Sequence, residues 1–163
     1  MTRLIALWFG AGMMRPGPGT WGSLAALPFA WALHTLGGLP LFALAIVALY
    51  PLGLWAVRAE TKGRADADPS EIVVDEVIGQ WIALLPVSIG AWAMGAEPLA
   101  LWPGVISAVL CFRLFDIWKP GLVGRMDRRG DPEGVMLDDV AAGIFAALAT
   151  LALAAIGHGV MML

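Results

Sequence analysis

Five acidic residues stand at the ends of long apolar segments, where charges are few. They form two adjacent pairs, Asp75 with Glu76 and Asp138 with Asp139, and one single residue, Asp116. Carboxylates gathered in a low-dielectric setting repel one another, so such a cluster either takes up protons or binds a cation. Oxygen ligands alone favour a hard ion such as Mg²⁺. If the five residues meet, the sequence predicts a site for a hard divalent cation.

The first acidic pair follows a sequence typical of a helix start. Asp68 is a suitable N-cap, a proline follows it, and Glu71 completes a capping box. Asp75 and Glu76 are then predicted on the second turn of a helix that enters a bilayer. An ionisable residue at that depth is a functional candidate, because it is costly unless it faces protein or water. The alternative is a solvated pair just above the lipid headgroups.

Asp116 lies near the end of an apolar segment, where its charge opposes the helix dipole by about 0.3–1 kcal/mol. Arg113 and Lys119 stand three residues away on either side, so the three are predicted on one helical face. They could form a structural ion-pair ladder. Alternatively, Asp116 could bind a metal while the two cations bind phosphate. The sequence leaves both interpretations open.

The second acidic pair precedes the last apolar segment. One of its two carboxylates, Asp138 or Asp139, would suffice as the N-cap of that helix. The pair also echoes the first one, since Gly79 follows Asp75 by four residues and Gly143 follows Asp139 by four. A glycine one turn beyond an acid leaves space on the same helical face for another helix or a ligand.

A glycine-rich stretch, residues 10–23, precedes the first long apolar segment. A type II turn is predicted at Pro18-Gly19, with Thr20 as N-cap of a helix that begins near Trp21. A turn of this kind exposes backbone N–H groups to an anion. No Gly-Lys-Ser/Thr follows, so it is not a P-loop. The structural alternative is a flexible turn that caps a membrane helix.

The elements that must position these residues are membrane helices. Hydrophobic residues make up 60% of the 163 residues and charged residues 14%, and the mean hydropathy is +0.80, all typical of a membrane protein. Five apolar segments of 16 to 21 residues are long enough to approach the thickness of a bilayer. They cover residues 21–36, 39–57, 77–94, 99–115 and 140–160. The first is short and contains Pro28, so an all-α membrane bundle of four to five spans is predicted, as one domain over residues 1–163.

Charge is distributed unevenly along the chain. Nine of the ten Lys and Arg and twelve of the thirteen carboxylates fall in three polar stretches: the first 20 residues, 58–76 and 116–139; the tenth cation, Arg113, lies three residues before the last stretch. Five crossings place these stretches on one side, which the positive-inside rule makes cytoplasmic, with the C-terminus outside. The net charge of −3 and the absence of a basic patch interleaved with aromatic residues argue against a nucleic-acid partner.

Several kinds of chemistry can be excluded from the sequence. Cys111 begins no Cys-x5-Arg loop, His34 and His158 are remote in sequence from the acidic residues, and no Gly-x-Ser-x-Gly elbow occurs. Metal-assisted phosphoryl chemistry at the membrane surface remains, with a lipid phosphate as substrate. The rivals are a small cation transporter, a lipid headgroup transferase and a non-catalytic membrane scaffold.

Four motifs occur in one order between about residue 10 and residue 143: Pro18-Gly19-Thr20-Trp21-Gly22-Ser23, Ile72-Val73-Val74-Asp75-Glu76 with Gly79, Phe112-Arg113 with Phe115-Asp116 and Lys119-Pro120, and Leu137-Asp138-Asp139 with Ala142-Gly143. Each is short, but the ordered set is specific. It resembles bacterial phosphatidylglycerophosphatase A. The resemblance implies a multi-pass enzyme of the bacterial inner membrane that removes the terminal phosphate of phosphatidylglycerophosphate with Mg²⁺, giving phosphatidylglycerol and phosphate.

On this resemblance, each site residue receives a hypothetical role. Asp75, Glu76, Asp116 and Asp139 are candidate Mg²⁺ ligands, and Asp138 is a candidate ligand or base. The candidates for binding the substrate phosphate are Thr20, Gly22, Ser23, Arg113 and Lys119. Whether an aspartate or a water molecule attacks phosphorus is left open.

Overall fold

The computed structural model of the protein describes residues 1–64 and 69–161, with side chains described as far as residue 157. Within these residues every regular element is helical, as predicted. The α-helices are α1 (Thr2–Ala6), α2 (Pro18–Thr61), α3 (Val74–Ala83), α4 (Leu85–Met94), α5 (Trp102–Trp118), α6 (Leu122–Asp127) and α7 (Pro132–Met161), and two 3-10 helices cover Trp8–Met13 and Pro98–Leu101.

Helix α2 is a hairpin of two helical arms. Gly37 and Gly38 have non-helical backbone angles, and Gly38, with φ +63°, adopts a conformation that side chains disfavour. Gly22 and Gly53 both lie against the start of α3, although a straight helix would separate them by roughly 45 Å. The chain therefore turns back at the two glycines, giving arm α2a (residues 18–36) and arm α2b (residues 39–61).

Helices α3 and α4 form one apolar segment with a bend of 43° at Leu84. Pro86 lies in the first turn of α4, where it has no N–H to continue the hydrogen-bond ladder of α3. The sequence predicted a single helix here, residues 77–94. The proline divides the predicted helix into α3 and α4, and despite the bend the two together still run from one end of the bundle to the other.

The helices have the length and surface of a membrane protein. Within the described part of the chain, three are long and apolar enough to cross a bilayer, or four if the bent pair α3–α4 counts as one span. In the span that contains α5, only 11% of the most apolar window is buried, and Leu110 and Ile117 on α5 are exposed. An apolar surface of this extent suits lipid contact. These features confirm the predicted all-α membrane bundle. The five predicted apolar segments correspond to α2a, α2b, the bent pair α3–α4, α5 and α7.

The polar stretches pack together at one end of the bundle. The hydroxyl of Thr2 donates to Glu60 Oε1 at 2.6 Å, and Arg58 forms an ion pair with Glu133. The opposite end holds the Gly37–Gly38 break, where the ring of Trp92 occupies the space that a side chain on Gly38 would need. The polar end is therefore where arm α2a and helices α3 and α7 begin. Arm α2b and helix α5 end there.

Candidate active site

The first acidic pair lies at the very start of α3, not on its second turn. Helix α3 begins at Val74, five residues later than the proposed proline start; Asp68 lies outside the described residues. The capping-box prediction for Glu71 is wrong, since its carboxylate accepts a hydrogen bond from Arg64 at 3.0 Å. The N–H of Val73 donates to Ala6 O at 2.8 Å, so a contact with α1 fixes the chain immediately before the helix.

The second acidic pair lies inside α7. The helix begins at Pro132, and the backbone N–H of Gly134 donates to Asp131 Oδ1 at 2.6 Å, so Asp131 supplies the cap. The alternative of Asp138 or Asp139 as N-cap is therefore wrong. Two buried carboxylates in the second turn of an apolar helix need another explanation, because isolated burial of a charge is costly.

Glycines bring the two acidic pairs together. A side chain on Gly79 would overlap the carbonyl oxygen of Asp139, and one on Gly143 would overlap the backbone of Gly79. Helices α3 and α7 are thus in backbone contact at this crossing. Asp75 and Asp139 each precede the contacting glycine by four residues, which is one helical turn, so both carboxylates lie on the contacting faces.

Three carboxylates converge at this crossing. One ligand oxygen each from Asp75, Glu76 and Asp139 lies within 4.8 Å of the other two. The side chains of Asp75 and Asp139 are about 5% exposed or less, and buried oxygens of Glu76 (Oε2) and Asp139 (Oδ1) have no hydrogen-bond partner. Buried unpartnered oxygens that face one another are the donor set of a hard divalent cation. The cluster fits, and could hold, such an ion.

Helix α5 contributes Asp116 and Arg113, which form an ion pair of 2.6 Å. Asp116 lies close enough to Glu76 and Asp139 to act on them electrostatically, but it is not among the three residues whose oxygens converge. Part of the ladder interpretation therefore holds, because the Arg113–Asp116 pair exists. Its side chains are only 20% and 15% exposed, so the pair borders the site and not the solvent.

Lys119 departs from the predicted helical face. It ends α5 with φ +50°, and its ammonium group forms ion pairs with Asp127 and, at 2.9 Å, with Asp138. Partial burial acts to lower the pKa of Lys119, but the two ion pairs outweigh it and raise the pKa above its usual range. The permanent positive charge of Lys119 thus lies beside Asp138 and not beside Asp116.

The glycine-rich stretch reaches the acidic cluster through Gly19. A side chain there would overlap the carboxylate of Glu76 and crowd Arg113. Helix α2 begins earlier than predicted, at Pro18 after Gly17 with φ +68°; the N–H of Thr20 donates to Gly17 O at 3.0 Å, so the predicted cap at Thr20 is wrong. The side chain of Thr20 is exposed at this helix start.

Two further phosphate-binding candidates, Gly22 and Ser23, make contacts inside the bundle. Gly22 lies against Val73, where a side chain would overlap it. The hydroxyl of Ser23 is fully buried and donates to Gly19 O at 2.9 Å, a bond to the preceding turn of its own helix. Of the candidates in this stretch, only Thr20 presents an exposed side chain.

The sequence interpretation missed Gln80. This residue lies one turn after Glu76 on α3, is fully buried, and neither atom of its carboxamide has a hydrogen-bond partner. A signal was present, because the chain has no asparagine and only this one glutamine. Its single side-chain amide lies four residues from the acidic pair.

The fold and site together define a helical membrane protein with a buried carboxylate cluster suited to a divalent cation, and with Arg113 and Lys119 at its rim. The chain matches the family model described as Phosphatidylglycerophosphatase A over residues 4–154. It therefore belongs to the phosphatidylglycerophosphatase A family. This membership confirms the predicted family and makes the chain an enzyme of the phosphoric monoester hydrolase class.

Individual relatives agree with this assignment. Phosphatidylglycerophosphatase A of Escherichia coli is 35% identical over 145 residues, 88% of this chain and 78% of its own length. The protein of the same name from Haemophilus influenzae is 33% identical over 151 residues, with coverage of 92% and 86%. A putative phosphatidylinositol-3-phosphatase of Bacteroides thetaiotaomicron is 40% identical over 149 residues, with coverage of 87% and 86%. No solved structure matches the chain significantly.

Proposed function

We propose that this chain is a Mg²⁺-dependent phosphatidylglycerophosphatase, which hydrolyses the terminal phosphomonoester of phosphatidylglycerophosphate to phosphatidylglycerol and inorganic phosphate. The observation that carries the proposal is the convergence of Asp75, Glu76 and Asp139 within 4.8 Å in a chain of this family. These three residues would hold the Mg²⁺ ion, with Asp116 nearby. When bound, the ion supplies positive charge that neutralises phosphate oxygens.

The residues at the rim bind and orient the phosphate in this proposal. Arg113 lies beside Gly19 and Glu76, and a guanidinium group suits bidentate contact with phosphate oxygens. Lys119 adds a second, permanent positive charge. Thr20 at the start of α2 offers a hydroxyl and the amide end of a helix, where anions are favoured.

Asp138 is the candidate base. It is buried beside the converging acids but is not one of them; Lys119 Nζ lies 2.9 Å from one oxygen, and the N–H of Asp139 donates to the other at 3.0 Å. These contacts favour the ionised carboxylate and fix its orientation. Asp138 accepts a proton from the attacking water, whose oxygen bonds to phosphorus as the P–O bond to glycerol breaks. The glycerol oxygen leaves and takes up a proton from solvent water, while Asp138 returns its proton to solvent, so no net proton stays on the enzyme.

Phosphate release tests the proposal. The purified protein in detergent micelles should release phosphate from phosphatidylglycerophosphate with Mg²⁺ and not with EDTA, and Asp75→Asn should abolish the release. Glu97→Gln is the matched control, since Glu97 is the one acidic residue predicted at the opposite end of the bundle and is exposed. If the wild type released no phosphate with Mg²⁺ present, the phosphatase proposal would be excluded.

Headgroup selectivity is a separate question, because one relative carries the name putative phosphatidylinositol-3-phosphatase. We expect faster release from phosphatidylglycerophosphate than from phosphatidylinositol 3-phosphate at equal mole fraction in the micelle. The slender glycerol phosphate reaches buried carboxylates more easily than a ring-bearing headgroup. The reverse order would assign the chain a different lipid substrate with the same metal site.

We further propose that the polar end of the bundle faces the cytoplasm of a bacterial inner membrane. The ten Lys and Arg residues, which lie in or next to the polar stretches, support this orientation. In a Cys111→Ala background, a membrane-impermeant maleimide applied to intact spheroplasts should label Glu97→Cys but not Arg128→Cys. Both positions are exposed, so opposite labelling would reverse the orientation.

A further inference from the structure

Gln80 lies where its side chain can reach the acidic cluster. It follows Glu76 by four residues on α3, so the two side chains are neighbours along one helical face. Long side chains in a helix lean toward its N-terminus, which in α3 is the end that carries Asp75 and Glu76. This spacing lets the carboxamide of Gln80 reach toward Glu76 from the interior of the bundle.

The environment of Gln80 gives it no structural partner. The side chain is fully buried, and both its nitrogen and its oxygen lack a hydrogen bond. An unpaired buried amide destabilises a fold, whereas an apolar residue of the same shape would be neutral or stabilising. Packing alone therefore does not account for the one carboxamide in the chain.

The unpartnered atoms of the acidic cluster and of Arg113 are complementary to the carboxamide of Gln80. Oε2 of Glu76 and Oδ1 of Asp139 are buried acceptors without a donor, and Nε of Arg113 is a buried donor without an acceptor. The carboxamide offers two N–H donors and one acceptor. A carboxylate that gives one oxygen to a cation leaves its second oxygen in need of a donor, and such outer hydrogen bonds fix the orientation of metal ligands.

We propose that Gln80 is a positioning residue of the metal site, whose amide N–H donates to the second oxygen of Glu76 and holds that carboxylate in its ion-binding orientation. The inference rests on the proposed function in one respect, namely that the acidic cluster binds a divalent cation. It adds a residue outside the four motifs of the family resemblance. It also explains why a destabilising amide is kept at this position.

The test compares Gln80→Met with the wild type. Methionine has nearly the same length and volume as glutamine but cannot donate a hydrogen bond. Without a divalent ion, Gln80→Met should melt at the same temperature as the wild type or higher. Its dissociation constant for Mn²⁺, measured by electron paramagnetic resonance on the protein alone, should rise by roughly 10- to 100-fold.

Thr150→Val is the matched control. The hydroxyl of Thr150 on α7 is likewise buried without a partner, so valine also removes an unpaired polar atom from the interior. Thr150 lies 11 residues, about three turns, beyond Asp139. This variant should raise the melting temperature and leave Mn²⁺ affinity and phosphate release unchanged.

The outcomes separate the inference from the proposed function. Wild-type Mn²⁺ affinity in Gln80→Met would overturn the role of Gln80 while leaving the phosphatase proposal intact. A lower melting temperature in the absence of ion, or failure to fold, would also overturn it, because the amide would then act structurally. If the wild type bound no Mn²⁺ and released no phosphate, the proposed function itself would fail.

Discussion

A buried polar pair at one end of the bundle differs in its hydrogen bonding from the acidic cluster at the other end. At the end remote from the acids, His34 and Ser88 are both buried, and His34 Nδ1 lies 2.7 Å from Ser88 Oγ, so the two groups satisfy each other. At the polar end, Glu76 and Asp139 keep buried oxygens without partners. The first pair is complete in itself, whereas the unpartnered carboxylate oxygens of the second cluster can accept a cation.

The close helix contacts at the two ends differ in the same way. At the remote end the ring of Trp92 fills the space above Gly38, so a side chain mediates the contact. At the acidic end Gly79 and Gly143 bring backbone against backbone. The first contact can adjust through a change of rotamer, but the second cannot. At the acidic end, therefore, carboxylate oxygens lack hydrogen-bond partners and the helix contact cannot adjust through a rotamer change.

The largest expected effect is that of Asp139→Asn. Loss of a direct ligand should exceed the 10- to 100-fold cost usual for an outer-shell partner, so phosphate release should fall by more than about 100-fold. The melting temperature without metal should rise, because one of several mutually repelling carboxylates is removed. A fall in that melting temperature would show that Asp139 is structural, and would remove the contrast between the two ends.

Gly143→Ala tests the rigidity of the acidic crossing. The added methyl group overlaps the backbone of Gly79, and such overpacking costs about 1–3 kcal/mol in the free energy of unfolding. The measurement is unfolding in mixed micelles, together with Mn²⁺ affinity, which should also weaken. Gly157→Ala is the control, since a side chain there meets open space. Equal effects of the two variants would contradict a special role for the crossing.

Ser88→Ala tests the remote end. It leaves the buried imidazole of His34 without its partner, at an expected cost of roughly 1–2 kcal/mol in the free energy of unfolding. Phosphate release per folded molecule should not change, because the pair lies at the end of the bundle away from the acids. A loss of activity in the folded fraction would mean that the two ends are coupled.

Arg58→Gln should have the smallest effect. The Arg58–Glu133 pair is 55% and 42% exposed, and Glu133 also pairs with Arg129 at 2.9 Å, so it retains a cation. Exposed pairs contribute less than about 1 kcal/mol. Melting curves at low and high salt should differ little between this variant and the wild type. A large loss of stability would show that surface pairs at the polar end support the acidic cluster.

The sequence predicted the large features of the fold because hydrophobic length and the positions of Gly and Pro determine them. The five helical arms, the turn at Gly37–Gly38 and the end of α5 before Pro120 follow from these local signals. The proximity of Asp75 and Asp139 was predictable from one pattern, an acid followed by a glycine four residues later in two segments.

The starts of the two acidic helices were predicted wrongly for different reasons. The start of α3 depends on a distant contact, the bond from the N–H of Val73 to Ala6 O, which local capping rules do not consider. The start of α7 has a local signal, Asp131 followed by Pro132, but the cap was sought at Asp138 and Asp139. Lys119 escaped prediction for a related reason: its left-handed backbone directs the ammonium group to α6 and α7, away from its own helix.

The glycine crossing of α3 and α7 has a consequence for ionic radius. Since backbone meets backbone at Gly79 and Gly143, the helices that carry Asp75 and Asp139 approach as closely as main chains allow, and the short side chains of these two residues start from closely spaced positions. Calcium takes six to eight oxygens at about 2.3–2.6 Å, whereas magnesium takes six at about 2.0–2.1 Å. Closely spaced carboxylates on packed helices should therefore favour the smaller ion, although both ions carry the same charge.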